Sequence, residues 1–130
     1  MNLTKLTPML NVSNLEASLA FYETALDFKL VSPREALKEW RWGTIRSGNA
    51  ELMLSETETD LNLARDINPS QDTRWPTVFY FYPDDVEALY QHVIKNGYQG
   101  TPLETTFYGM REFSIQDPDG HMLTFGQDAG

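Results

Sequence analysis

Cysteine is absent from this sequence. Disulfides, thiolate metal sites and cysteine nucleophiles are therefore excluded, and nothing points to an oxidising compartment. Histidine is nearly absent too, with His92 and His121 the only two copies. Basic residues are scarce: 10 Lys and Arg stand against 19 Asp and Glu, for a net charge of -9. Phosphate binding needs a basic footprint, so nucleic acid is not an expected partner. An anionic membrane surface is disfavoured for the same reason. No apolar run approaches the roughly 20 residues that cross a bilayer. The first residues, Met1 to Leu6, carry no basic segment leading into an apolar stretch, so a secretory leader is not expected and a cytoplasmic address is. A Gly-x-Ser-x-Gly elbow, a P-loop and a dinucleotide fingerprint are all missing, which removes the common signatures of nucleophilic and nucleotide chemistry.

What is present is one arrangement read twice. In the first half, Thr7 to Val12 reads as a strand. Ser13 with Glu16 predicts a capping box, in which each side chain satisfies an orphan amide of a helix start. Leu15, Leu19, Tyr22 and Leu26 then recur at helical spacing. Lys29 to Ser32, Trp40 to Arg46 and Glu51 to Glu56 read as strands, with Gly48 and Asn49 turning between the last two. In the second half, Thr77 to Tyr82 reads as a strand, and Asp84 with Glu87 as a second capping box. Val86, Leu89 and Val93 form the helix stripe, and Gly97 suits a left-handed helix end. Strands are expected around Gln99 to Pro102, Gly109 to Gln116 and His121 to Phe125, the last pair joined by the Asp117-Pro118-Asp119-Gly120 turn. Thr7 and Thr77 lie 70 positions apart, and Leu52/Leu123 and Met53/Thr124 lie 71 apart.

The expected fold is α+β, with tandem βαβββ modules forming curved mixed sheets around a cleft. It is a single domain over 1–130, with module 1 at about 4–56, a connector at 57–74 and module 2 at about 75–127. The polar connector carries one modest apolar set, Leu61, Leu63 and Ile67, compatible with a short helix.

The run Val12-Ser13-Asn14-Leu15-Glu16-Ala17-Ser18-Leu19-Ala20-Phe21-Tyr22 and the stretch Tyr108 to Gly120 resemble the vicinal-oxygen-chelate superfamily. The second stretch is especially similar to the glyoxalase/bleomycin-resistance branch. One departure is Asp27, where the family usually has glycine after the helix; aspartate tolerates that backbone moderately well. The resemblance implies concave half-barrels lining a ligand site, and a metal ligand on the first and last strand of each unit in metal-using members. Carried onto this sequence, those positions are Thr7, Met53, Thr77 and Thr124. Hydroxyls and a thioether are poor ligands for the divalent metals concerned, so no metal and no cofactor is expected.

Strand alternation predicts a concave face from Thr7, Met9 and Asn11; Glu51, Met53 and Ser55; Thr77, Phe79 and Phe81; and Met122 and Thr124. Such a mixture of apolar groups with a few polar ones suits a small-molecule pocket. Trp40 and Trp42, two apart on a presumed strand, share a face and suit a planar or cationic ligand. Tyr108 and Glu112 offer a hydroxyl and a negative charge, with Arg111 as a rival partner for Glu112. The leading expectation is metal-independent binding and sequestration of a small, aromatic or cationic compound, by a homodimer resembling bleomycin-resistance proteins and conferring resistance to an antibiotic. The alternative is a metal-dependent enzyme of glyoxalase, lyase or dioxygenase type, with Glu51 as one ligand.

Overall fold

The computed structural model describes residues 1–58 and 77–130. The chain divides into two compact units, Met1–Leu61 and Asn62–Gly130. Most of the expected connector, with Leu61, Leu63 and Ile67, lies outside the described residues, as does Trp75.

In the first unit β1 (Met9–Val12) leads into α1 (Leu15–Leu26), followed by β2 (Lys29–Leu30), α2 (Arg34–Trp40), β3 (Trp42–Ser47) and β4 (Ala50–Glu56). The second unit has β5 (Val78–Phe81), α3 (Val86–Lys95), β6 (Glu104–Thr105), β7 (Met110–Gln116) and β8 (Met122–Asp128). Each unit holds one mixed sheet that does not close on itself. The orders are β1-β4-β3-β2 and β5-β8-β7-β6, with the first pair parallel and the others antiparallel. The α+β class and the repeated strand–helix–strands unit are thus as expected.

The core of each unit lies between its sheet and its helix. In the first, Leu15, Leu19, Tyr22 and Leu26 are buried against Leu10, Val12, Ile45, Leu52 and Leu54. Burial of side chains of this size contributes about 1.5–3 kcal/mol each, so the stripe read at helical spacing is the main reason the helix stays on the sheet. α2 was not anticipated. A seven-residue helix with Leu37 as its one buried side chain shows no readable period. A β-carbon on Gly43 would sit 2.4 Å from the Leu37 side chain, so glycine lets α2 settle on β3.

Both helix starts are shifted by one residue from the expected boxes. Asn14, not Ser13, accepts from the Ala17 amide at 3.0 Å, and Asp85, not Asp84, accepts from Ala88 at 3.0 Å. The last strand of each sheet explains the choice. Glu56 Oε2 accepts from the Leu15 amide at 2.9 Å, and Gln127 Oε1 accepts from the Val86 amide at 2.8 Å. Cap and strand side chain together satisfy two of the orphan amides at each helix start. Glu16 and Glu87, freed from boxes, turn to Arg41 and Arg111.

Strand boundaries also move by one to a few residues. Trp40 ends α2, and Arg41 turns the chain at φ 54 before β3 begins at Trp42. The strand expected at Gln99 to Pro102 forms instead at Glu104–Thr105; proline has no amide to give a ladder. Val78–Phe81 is shorter at both ends than the expected strand. Asp27 adopts φ 56, the left-handed helix end its position requires.

Candidate functional site

Each sheet has one face against its own helix and one helix-free face. In the first unit the register places Met9 beside Met53 and Met53 beside Thr44; the next row is Asn11, Ser55 and Trp42. Glu51 and Arg46 form the row beyond. Met9, Trp42, Glu51 and Met53 therefore share the helix-free face, as expected. Thr7 precedes β1 and is half-buried. Trp40 does not join them: it sits on a helix, 69% exposed, and the notion of two tryptophans on one strand face is corrected.

Glu51 is held from both sides. Lys5 Nζ reaches Oε1 at 3.0 Å, and Arg46 donates from Nε at 3.0 Å and Nη2 at 2.7 Å to Oε2. The Arg46 hydrogen bonds, then Lys5, hold its carboxyl below the usual range. A metal would have to displace both cations to use it.

In the second unit the expected face is out of phase by one residue. Val78 pairs with Met122, and Tyr80 with Thr124, so Val78, Tyr80, Met122 and Thr124 occupy the helix-free face. Phe79 and Phe81 point into the core side. Phe81 stacks on Phe125 with centroids 5.3 Å apart, and Phe125 on Phe113 at 5.1 Å. Thr77 lies before the strand and is exposed. The one-residue slip reverses every side chain, and aromatics on both faces of β5 conceal it from a period-two reading.

With this register the implied metal positions change. Tyr80 matches Met9, and Val78, not Thr77, matches Thr7. The set becomes Thr7, Met53, Val78 and Thr124. An isopropyl group cannot ligate. Thr124 already exchanges a hydrogen bond with Ser114 at 2.8 Å. These side chains do not fit a divalent ion, and among the described residues no three His, Asp or Glu side chains gather into a metal-holding group. His92 lies in α3, and the His121 ring packs near Phe79 at 6.5 Å.

A cluster that the sequence reading only half found occupies the helix-free face of the second sheet. The Tyr80 hydroxyl donates to Glu112 Oε2 at 2.8 Å, and the Tyr108 hydroxyl reaches both oxygens at 2.8 and 2.9 Å. Tyr80 gets there by lying across β8 at Gly126, where a β-carbon would meet its hydroxyl oxygen at 1.8 Å. Burial first, then the bond to Glu112, pushes the Tyr80 phenol up; at Tyr108 the bond to Glu112 is the leading cause. Both phenols thus stay protonated donors. Tyr82 packs on Tyr80 at 5.1 Å and Phe107 on Tyr108 at 4.9 Å. Arg111, the rival partner, turns instead to Glu87 at 3.2 Å. Glycine inside a strand marks a close approach, so Gly126 is the one sequence signal from which Tyr80 could have been found.

Tandem units of this topology, each with a side-chain-lined helix-free face, define a class of two-module α+β proteins. The chain belongs to the Glyoxalase/Bleomycin resistance protein/Dioxygenase superfamily, whose family model matches residues 6–125. No curated protein matches it. Among solved structures, TioX from Micromonospora sp. ML1 is similar with a TM-score of 0.74 at 15% identity, covering 96% of this chain and 98% of that one. A bleomycin-binding protein complexed with bleomycin gives 0.70 at 22% identity, covering 97% and 99%. A protein of unknown function from Agrobacterium tumefaciens str. C58 gives 0.70 at 24% identity, covering 98% and 96%. At these identities the likenesses establish the fold.

Proposed function

We propose that this protein binds a small organic compound on its helix-free sheet faces and sequesters it by burial and stacking, without converting it. The observation that carries this reading is the donor chemistry at Thr7, Met53, Val78 and Thr124. Where metal-using relatives need ligands, this chain has hydroxyls, a thioether and a hydrocarbon, none suited to a hard or imidazole-preferring divalent ion. The pairing of Glu51 with Lys5 and Arg46 argues further against the metalloenzyme alternative. The aromatic and thioether groups on the same faces, Met9, Trp42, Met53 and Tyr80, favour contact with an apolar or planar ligand. The fold shared with a bleomycin-binding protein supports the same class of activity.

Titration calorimetry with bleomycin and with an unrelated planar cation such as ethidium tests the reading. Saturable heat with recovery of the unmodified compound is expected. Absence of heat with both, or a stoichiometric bound metal whose removal abolishes an activity, overturns it. The same reading has the protein acting in the cytoplasm as a homodimer. Light scattering should then return twice the 14.9 kDa chain mass; the mass of one chain rejects the dimer.

A further inference from the structure

Glu112 differs from the other carboxylates that brace these sheets. Glu51 faces Lys5 and Arg46, and Glu56 faces Arg41. Among the described residues Glu112 has hydrogen bonds from Tyr80 and Tyr108 and no cation beside it. Phenols satisfy its hydrogen-bonding needs without cancelling its charge. The rings that supply them are exposed, and so are Tyr82 and Phe107, each packed against one of the two. A negative charge is thus set in a run of four accessible aromatic rings.

We propose that Glu112 and these rings form a binding site for a quaternary ammonium group. The inference rests on the small-molecule reading above and names the ligand class. Three chemical properties select this cation. A quaternary ammonium needs charge and π faces but brings no hydrogen-bond donor, which matches a carboxylate whose acceptor positions are already largely taken. A primary ammonium or guanidinium would compete with the phenols for those positions. An inorganic divalent ion would need several oxygen ligands at close range; Glu104, opposite Glu112 in the β6–β7 register, brings the carboxylates on this face to two, and among the described residues no three His, Asp or Glu gather. Donation from each phenol to an anion also polarises its ring towards greater electron density, strengthening the attraction of the π face. The net charge of -9 adds a long-range pull on any cation.

The test follows tyrosine ring signals by NMR while titrating the intact protein with choline, with ethanolamine, and with 3,3-dimethylbutan-1-ol, the uncharged isostere of choline. Choline should bind at least about tenfold tighter than either of the others. Glu112→Gln should remove that preference, with a melting curve establishing that the variant folds. Tyr82→Ala takes away an exposed π face without touching the carboxylate, and should weaken choline binding a few-fold with little change in melting. The proposal is overturned if the isostere binds as well as choline, if ethanolamine binds more tightly, or if folded Glu112→Gln retains the preference. If choline fails while bleomycin still binds, the quaternary assignment alone falls. If no probe of any class binds, the small-molecule reading falls with it.

Discussion

Gly126 lies beneath the hydroxyl of Tyr80, and a single added methyl there would collide with that oxygen. The first expected outcome concerns this pair. Gly126→Ala should force the Tyr80 ring off β8 and break its bond to Glu112, costing about 1–3 kcal/mol in urea unfolding, as overpacking does. Removing the ring with Tyr80→Ala should leave room for the methyl. The double variant should therefore lose less than the sum of the single losses, by about 1 kcal/mol. Additive losses would show that the collision is relieved elsewhere.

Phe125 sits between Phe81 and Phe113 in a stack and is 3% exposed. Phe125→Ala should cost about 3–5 kcal/mol, the range for a large cavity in a packed core. Phe81→Ala should also act chiefly on stability. Choline or bleomycin titrations of Phe81→Ala under native conditions should match the parent. A lost ligand with unchanged stability would place Phe81 on the binding face after all.

The helix cap at Asp85 rather than Asp84 makes a clean comparison between neighbours. Asp85→Ala should cost about 1 kcal/mol, a typical value for a lost N-cap. Asp84 is held through its backbone carbonyl, which accepts from Gln127, so Asp84→Ala should change little. Chemical denaturation of the two variants separates them; equal losses would return the cap to Asp84.

Acid should weaken the first unit through its paired carboxylates. Arg46, then Lys5, hold the Glu51 carboxyl low, and Arg41, then the Leu15 amide, do so for Glu56. A carboxyl with a depressed folded-state pKa contributes stability that is present above its unfolded value, about 4.3. That contribution is lost as pH falls through the lower folded value. The melting temperature should therefore decline below about pH 4, and Glu56→Gln should flatten part of the decline. An unchanged profile in that variant would remove Glu56 from the account.

Much of this fold was legible because the helices carry their burial at a period that strands do not share. Leu15, Leu19, Tyr22 and Leu26 announced α1 without help from any other residue. The turns were equally plain, since Gly48, Gly97 and Gly120 each take a positive φ. The helix-free face was harder to read. Along Val78-Phe79-Tyr80-Phe81, large apolar groups alternate with one another rather than with polar ones, so composition does not say which face meets the helix. Hydrogen-bonded register decides it, and register depends on partners more than 40 residues away. Trp40 was misplaced because α2 is too short to display a period. Glu112 and Tyr108 were found as separate groups; that they converge with Tyr80 is a property of three strands brought side by side.

The braces at the two helix starts carry a further meaning. Glu56 and Gln127 make the same contact to Leu15 and Val86, one with an acid and one with an amide. The contact therefore asks for an acceptor in the right place, and the charge that Glu56 adds there is answered by Arg41. Each half of the chain serves as an internal control for the other: a substitution tried in one copy already has a natural counterpart in the second.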